Sequence, residues 1–188
     1  MKLKIGIVTS RFNEEITEAL EQGATDFLDS LQNEFEVDVW SVRVPGAVEI
    51  PLACQALLNR GCQGVIALGC VIRGETSHYD FVCNSVERGI TQLMLETGKP
   101  VGFGILTTEN WEQAKARSGG EHGNKGSETA QCVVEMIGLM THLNKRTLPP
   151  PLPLFKDPKS KNPDKKTAKK SGNDRATDYK ASKKSKKK

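Results

Sequence analysis

Gly74, Glu75, Thr76 and His78 fall in one short stretch, VIRGETSHYD, directly after the apolar run GVIALG. Free backbone N–H groups at a helix start, beside small residues, favour an anion. Imidazole, with an unperturbed pKa of about 6.5, suits general acid–base work near neutral pH. A lone histidine is more often structural, so on this stretch alone both roles stand for His78. Three other segments carry comparable residues. Phe12, among Arg11, Asn13 and Glu14, is either a local hydrophobic plug or a flat stacking platform for a heterocycle. Glu49, just past PGA, is either an acid favoured by a helix dipole or an acceptor for ligand hydroxyls. Arg117 and Lys125 flank SGGEHGN, as a solvated basic turn or as a phosphate clamp. The order in GNKGS is not that of a nucleotide phosphate loop. Taken together these residues describe an aromatic platform, an anion pocket and a proton shuttle without a metal. That set suits condensation of a small heterocycle with a phosphorylated partner.

The elements that must position them follow from periodicity. LKIGIVTS (Leu3–Ser10), EVDVWSVRV (Glu36–Val44), GVIALGCVI (Gly64–Ile72) and VGFGIL (Val101–Leu106) read as strands. The third is a continuous apolar run, as expected for a strand covered on both faces. EEITEALEQGATDFLDSL places Ile16, Ala19, Leu20, Ala24, Phe27, Leu28 and Leu31 near a 3.6-residue period, an amphipathic helix. VPGAVEIP opens a second helix that Gly61 closes at a C′ position. Ser77, three before Asp80, predicts a capping box for a third helix with the stripe Val82, Val86, Ile90, Leu93 and Met94, ended by Gly98 and Pro100. Asn110 predicts the cap of a short helix through Arg117, SGGEHGNKG a glycine-rich turn, and 127–143 the last helix. Strand and helix alternate four times, which predicts an α/β fold with a four-stranded parallel sheet, right-handed crossovers and helices on both faces. In such sheets ligands bind at the carboxyl ends of the strands. The candidate residues around Phe12, Glu49 and His78 sit at those ends.

The chain has 188 residues and a net charge of +4, but the charge is unevenly spread. Residues 147–188 hold 14 Lys and Arg against 4 Asp, whereas residues 1–146 carry a net charge of −6. The expected organisation is one folded domain, 1–146, and a disordered Pro/Lys-rich tail, 147–188, with too few large apolar side chains to offset its ordering entropy. Such a tail solubilises, or meets an acidic partner; nucleic acid is expected as a partner only through it. Cys54, Cys62, Cys70, Cys83 and Cys132 form no CxxC pair and have apolar neighbours, so buried, reduced thiols are expected and zinc is not. No run is long and apolar enough for a membrane span, and MKLKIGIV is too short and strand-like for a signal peptide. A cytoplasmic location is expected.

RFNEEI, VPGAVEIP, VIRGETSHYDFV, GFGILTTEN and GNKGSE, in this order and spacing, resemble the 6,7-dimethyl-8-ribityllumazine synthase family of riboflavin biosynthesis. The likeness runs from Lys2 to about Leu143. It implies a flavodoxin-like three-layer sandwich and an enzyme joining 5-amino-6-(D-ribitylamino)uracil to 3,4-dihydroxy-2-butanone 4-phosphate, without metal or organic cofactor. By the same resemblance Phe12 stacks on the pyrimidine with Asn13 beside it, and Ala47, Val48 and Glu49 line the ribityl chain. Many members have an aromatic where this chain has Val48. Cys70, Val71 and Ile72 offer backbone groups to the pyrimidine, and Phe103 closes that side. Glu75 and Thr76 hold the butanone phosphate, with Arg117 paired to it and Lys125 in support. His78 transfers protons, with Glu128 as a supporting residue.

The resemblance also implies active sites shared between adjacent subunits of a pentamer, some family pentamers building a 60-subunit shell, and riboflavin synthase as a pathway partner. Members commonly carry a further strand before LKIGIV that joins a neighbouring sheet; its lack here implies a misassigned start or a different assembly. Two competing readings are a non-catalytic flavin- or lumazine-binding or shell-forming homologue, and a flavodoxin-like nucleotide binder. The second is disfavoured because no phosphate loop follows the first strand.

Overall fold

The structure, a computed structural model, describes residues 2–145. The tail expected over 147–188 lies outside the described residues. Four strands, β1 (Lys2–Ser10), β2 (Glu36–Val44), β3 (Gly64–Ile72) and β4 (Val101–Thr108), form one parallel sheet in the order β2-β1-β3-β4. The helices are α1 (Glu14–Ser30), α2 (Ile50–Asn59), α3 (His78–Thr97), α4 (Trp111–Arg117) and α5 (Lys125–Asn144). A 3-10 turn, Ala47–Glu49, runs directly into α2.

Alternation along the central strands sends successive side chains to opposite faces. Ile5, Ile7, Ile66 and Leu68 meet Ile16, Leu20 and Leu28 of α1 and Val133 and Ile137 of α5. Val8, Val65 and Ala67 meet Cys54 and Leu57 of α2 and Val86 and Ile90 of α3. Helices thus cover both faces, and the expected three-layer α/β sandwich is what forms. Gly61 (φ 92°) and Gly98 (φ 62°) take the left-handed conformation at helix ends, as expected of closing glycines.

The structure corrects four local expectations. The capping box at Ser77 does not form: Ser77 has helical backbone and its side chain makes no cap bond. Asp80 is instead drawn to Arg73, 3.2 Å away, while the Thr76 hydroxyl accepts from the His78 N–H at 3.4 Å. The glycine-rich segment is a small antiparallel ribbon, β5 (Ser118–Gly120) with β6 (Gly123–Asn124). Helix α5 begins at Lys125 rather than at 127 because Asn124 caps it, accepting from the Gly126 N–H at 2.8 Å. Cys54, Cys62 and Cys70 are buried, but Cys83 is half-buried and Cys132 exposed, since an α5 position off the Val133–Ile137 stripe faces outward.

Asn124 also ties two elements together, its amide donating to the Ala19 carbonyl of α1 at 2.7 Å. Gly126, the second residue of α5, packs tightly against α1: a β-carbon there would lie 2.7 Å from the Leu20 carbonyl carbon and would overlap its oxygen.

Candidate active site

The carboxyl ends of β1 and β3 converge with the turn after β2 and the start of α3. Between them lies a cavity of about 320 Å³. Its wall includes Phe12, Ala47, Val48, Glu49, Cys70, Val71, Ile72, Gly74, Thr76 and His78. Sheet order explains the convergence. The chain leaves β1 for β2 on one side and crosses back to β3 on the other, so the two loops part and leave a crevice between them.

Phe12 stands at the mouth, 70% exposed, so it is not the hydrophobic plug that is one reading of a loop phenylalanine. An uncovered ring of this kind is available for stacking. Its turn is held from both sides. The Arg11 N–H donates to the Val44 carbonyl at 2.8 Å, and Arg43 of β2 pairs with Glu18 and Glu21 of α1 at 2.9 and 2.8 Å. Asn13, in left-handed backbone (φ 59°), is outside the lining; its amide donates to the Cys70 carbonyl at 2.9 Å. It fastens the turn after β1 to the end of β3.

The Glu49 carboxylate accepts from the Gly46 N–H at 2.9 Å, closing the 3-10 turn, and still lines the cavity. Burial pushes the Cys70 thiol up to about 12. A thiolate is scarce near neutral pH at such a value, so Cys70 offers backbone groups rather than a nucleophile. Glu75 is exposed and outside the lining. His78, the first residue of α3, is exposed, and among the described residues its ring has no hydrogen-bond partner. The Ser77 side chain does not cap the helix; the His78 N–H is met by the Thr76 hydroxyl at 3.4 Å and the Asp80 N–H by the Ser77 carbonyl at 3.0 Å.

Phe103, Arg117 and Lys125 are not in this cavity. They line a separate cleft of about 240 Å³ along β4, with Thr107, Thr108 and Thr129. The two concavities share no lining residue. Lys125 is neutralised by Glu128 of the same helix. Among the described residues no carboxylate pairs with Arg117, whose side chain donates only to the Gln113 carbonyl at 3.0 Å. Arg117 therefore carries the uncompensated charge of this cleft.

Tyr79 and Val82 also line the main cavity, and sequence reasoning does not find them. Val82 reads as part of a helix core stripe. Tyr79 follows His78 directly, and an aromatic in the first turn at a strand's carboxyl end is the available signal.

A parallel sheet in this order, with a strand-end cavity walled by an open aromatic ring, strand-end backbone and a histidine at a helix start, defines a flavodoxin-like α/β protein built to bind a small ring compound. The family model for 6,7-dimethyl-8-ribityllumazine synthase matches residues 2–141. A 6,7-dimethyl-8-ribityllumazine synthase of Bdellovibrio bacteriovorus is 62% identical over 138 residues, 73% of this chain and 75% of that protein. One of Desulfovibrio desulfuricans is 47% identical over 142 residues, 75% of this chain and 90% of that protein. The chain belongs to the 6,7-dimethyl-8-ribityllumazine synthase family.

Proposed function

We infer that the chain is a transferase of riboflavin biosynthesis. It condenses 5-amino-6-(D-ribitylamino)uracil with 3,4-dihydroxy-2-butanone 4-phosphate into 6,7-dimethyl-8-ribityllumazine, releasing phosphate and water. The observation that carries this reading is the meeting of Phe12, the backbone of Cys70–Ile72 and His78 around one cavity in a chain of this family. Phe12 stacks on the pyrimidine, backbone groups of Cys70, Val71 and Ile72 bond its edge, and Ala47, Val48 and Glu49 take the ribityl chain. Thr76 and the start of α3 receive the phosphate. The aromatic amine is already nucleophilic, so holding two substrates together supplies much of the rate. Imine formation, loss of phosphate and ring closure each move protons near neutral pH, which His78 handles in either direction.

The separate cleft holding Phe103, Arg117 and Lys125 supports sites shared between subunits. Each cavity is then completed by the β4 cleft of a neighbour in a pentamer, whether single or part of a larger shell. On this reading the enzyme works in the cytoplasm, and riboflavin synthase takes up its product. Among the described residues no helix is long and apolar enough to cross a membrane.

Mixing the two substrates with purified protein should produce lumazine fluorescence above the uncatalysed rate; none above it would leave a binder rather than an enzyme. His78→Ala should lower kcat about tenfold to a hundredfold, at or below the low end of what acid–base groups contribute, because positioning survives the change. An unchanged rate at every pH would remove the proton role. A monomer in sedimentation would remove the shared site.

A further inference from the structure

One side chain outside both concavities touches the supports of each. Arg73 follows the last residue of β3, and its backbone N–H donates to the Thr108 carbonyl at the end of β4 at 2.9 Å. Its guanidinium pairs with Asp80 at 3.2 Å and with Glu109 at 2.9 Å. The same group lies over the Tyr79 ring, 4.0 Å from its centre. Tyr79 and Asp80 are the two residues after His78 in the first turn of α3. Glu109 precedes α4, the helix that ends in Arg117.

We propose that Arg73 is a positioning residue that sets the place of His78 by splinting the first turn of α3 to the turn after β4. The proposal rests on the proton-transfer reading of His78. Three features carry it. The histidine ring has no partner of its own among the described residues, so its place depends on the backbone beneath it. The expected Ser77 cap is missing and the Thr76 hydroxyl meets only the His78 N–H, at 3.4 Å, so the side-chain tie from the first turn of α3 to the neighbouring strand end is the one made by Arg73. A planar guanidinium can serve two carboxylates and stack on a ring at once, which an ammonium cannot. The ion pairs are exposed, Arg73 at 37%, Asp80 at 54% and Glu109 at 60%, and exposed pairs add little to stability. The network is thus better suited to fixing geometry than to holding the fold.

The test is a double-mutant cycle on the full chain, with both substrates. Arg73→Ala should lower kcat about fivefold to twentyfold, as small displacements of a reacting group do, with each KM changed less than about threefold. Near-UV circular dichroism and the thermal midpoint should stay close to those of the parent. Arg73→Lys should recover only part of the loss. Adding Arg73→Ala to His78→Ala should lower kcat no further, because two residues acting through one group are not additive. A normal rate in Arg73→Ala overturns the proposal, and so does a loss that multiplies with that of His78→Ala. A normal rate in His78→Ala alone overturns the reading of His78, and with it the route by which Arg73 acts.

Discussion

Arg117→Ala should raise the KM for 3,4-dihydroxy-2-butanone 4-phosphate by roughly 10- to 150-fold, the range corresponding to about 1.5–3 kcal/mol for hydrogen bonds to a charged group. The KM for the pyrimidine should move less than about twofold, since a cation aimed at phosphate adds nothing to an uncharged ring. Arg117 is singled out over Lys125 by its surroundings. Lys125 is already paired with Glu128, whereas among the described residues Arg117 meets only the Gln113 carbonyl. Arg117→Lys should fall between the parent and alanine, keeping the charge and losing the two-pronged geometry. Steady-state kinetics with each substrate varied in turn reads both constants. Equal rises for both substrates would show a damaged fold, and no rise would take the phosphate away from this cleft.

Gly126→Ala should destabilise the protein by about 2–4 kcal/mol, somewhat above the usual range for overpacking, because the obstacle is backbone. In a helix the same change ordinarily stabilises by about 1 kcal/mol, through lower entropy in the unfolded chain. Here the new methyl would overlap the Leu20 carbonyl, and α1 would have to move away from α5. That movement would also strain the Asn124 bond to Ala19. A methyl group added at Gly138 of the same helix would meet nothing within 4 Å, so Gly138→Ala should be neutral or slightly stabilising. Urea denaturation of the pair, with opposite signs, would separate close packing from helix propensity. Equal midpoints in the two variants would show that α1 and α5 do not meet tightly at Gly126.

The strands and helices are legible in the sequence because their signals are local. GVIALGCVI reads as a buried strand from its own composition, and β3 is buried from Gly64 to Cys70. The stripe of α3 likewise buries Val86, Ile90 and Leu93. Gly61 and Gly98 mark helix ends through their own backbone freedom. The failures are local too, but with distant causes. Ser77 and Asp80 have the spacing of a capping box, yet Asp80 is captured by Arg73, whose position is set by the pairing of β3 with β4. Asn124 caps α5 through the nearby Gly126 and Ser127 N–H groups, but it sits in a glycine-rich segment that reads as a turn, and its bonds to Ala19 and Ser118 reach other elements.

By itself, the sequence determined the α/β class, the strand-end turns that carry polar chemistry, and the candidate residues in those turns. Periodicity, turn residues and side-chain type are properties of short segments. Only the tertiary structure decided how those candidates are grouped. It placed His78 with Phe12 and the end of β3, and moved Phe103, Arg117 and Lys125 to a cleft on the outer strand. It turned Asn13 from the cavity to the Cys70 carbonyl and put Arg73 between Asp80 and Glu109. The physical reason is that the order β2-β1-β3-β4 is set by which faces can be buried together. That balance is summed over the whole domain, and no short segment contains it.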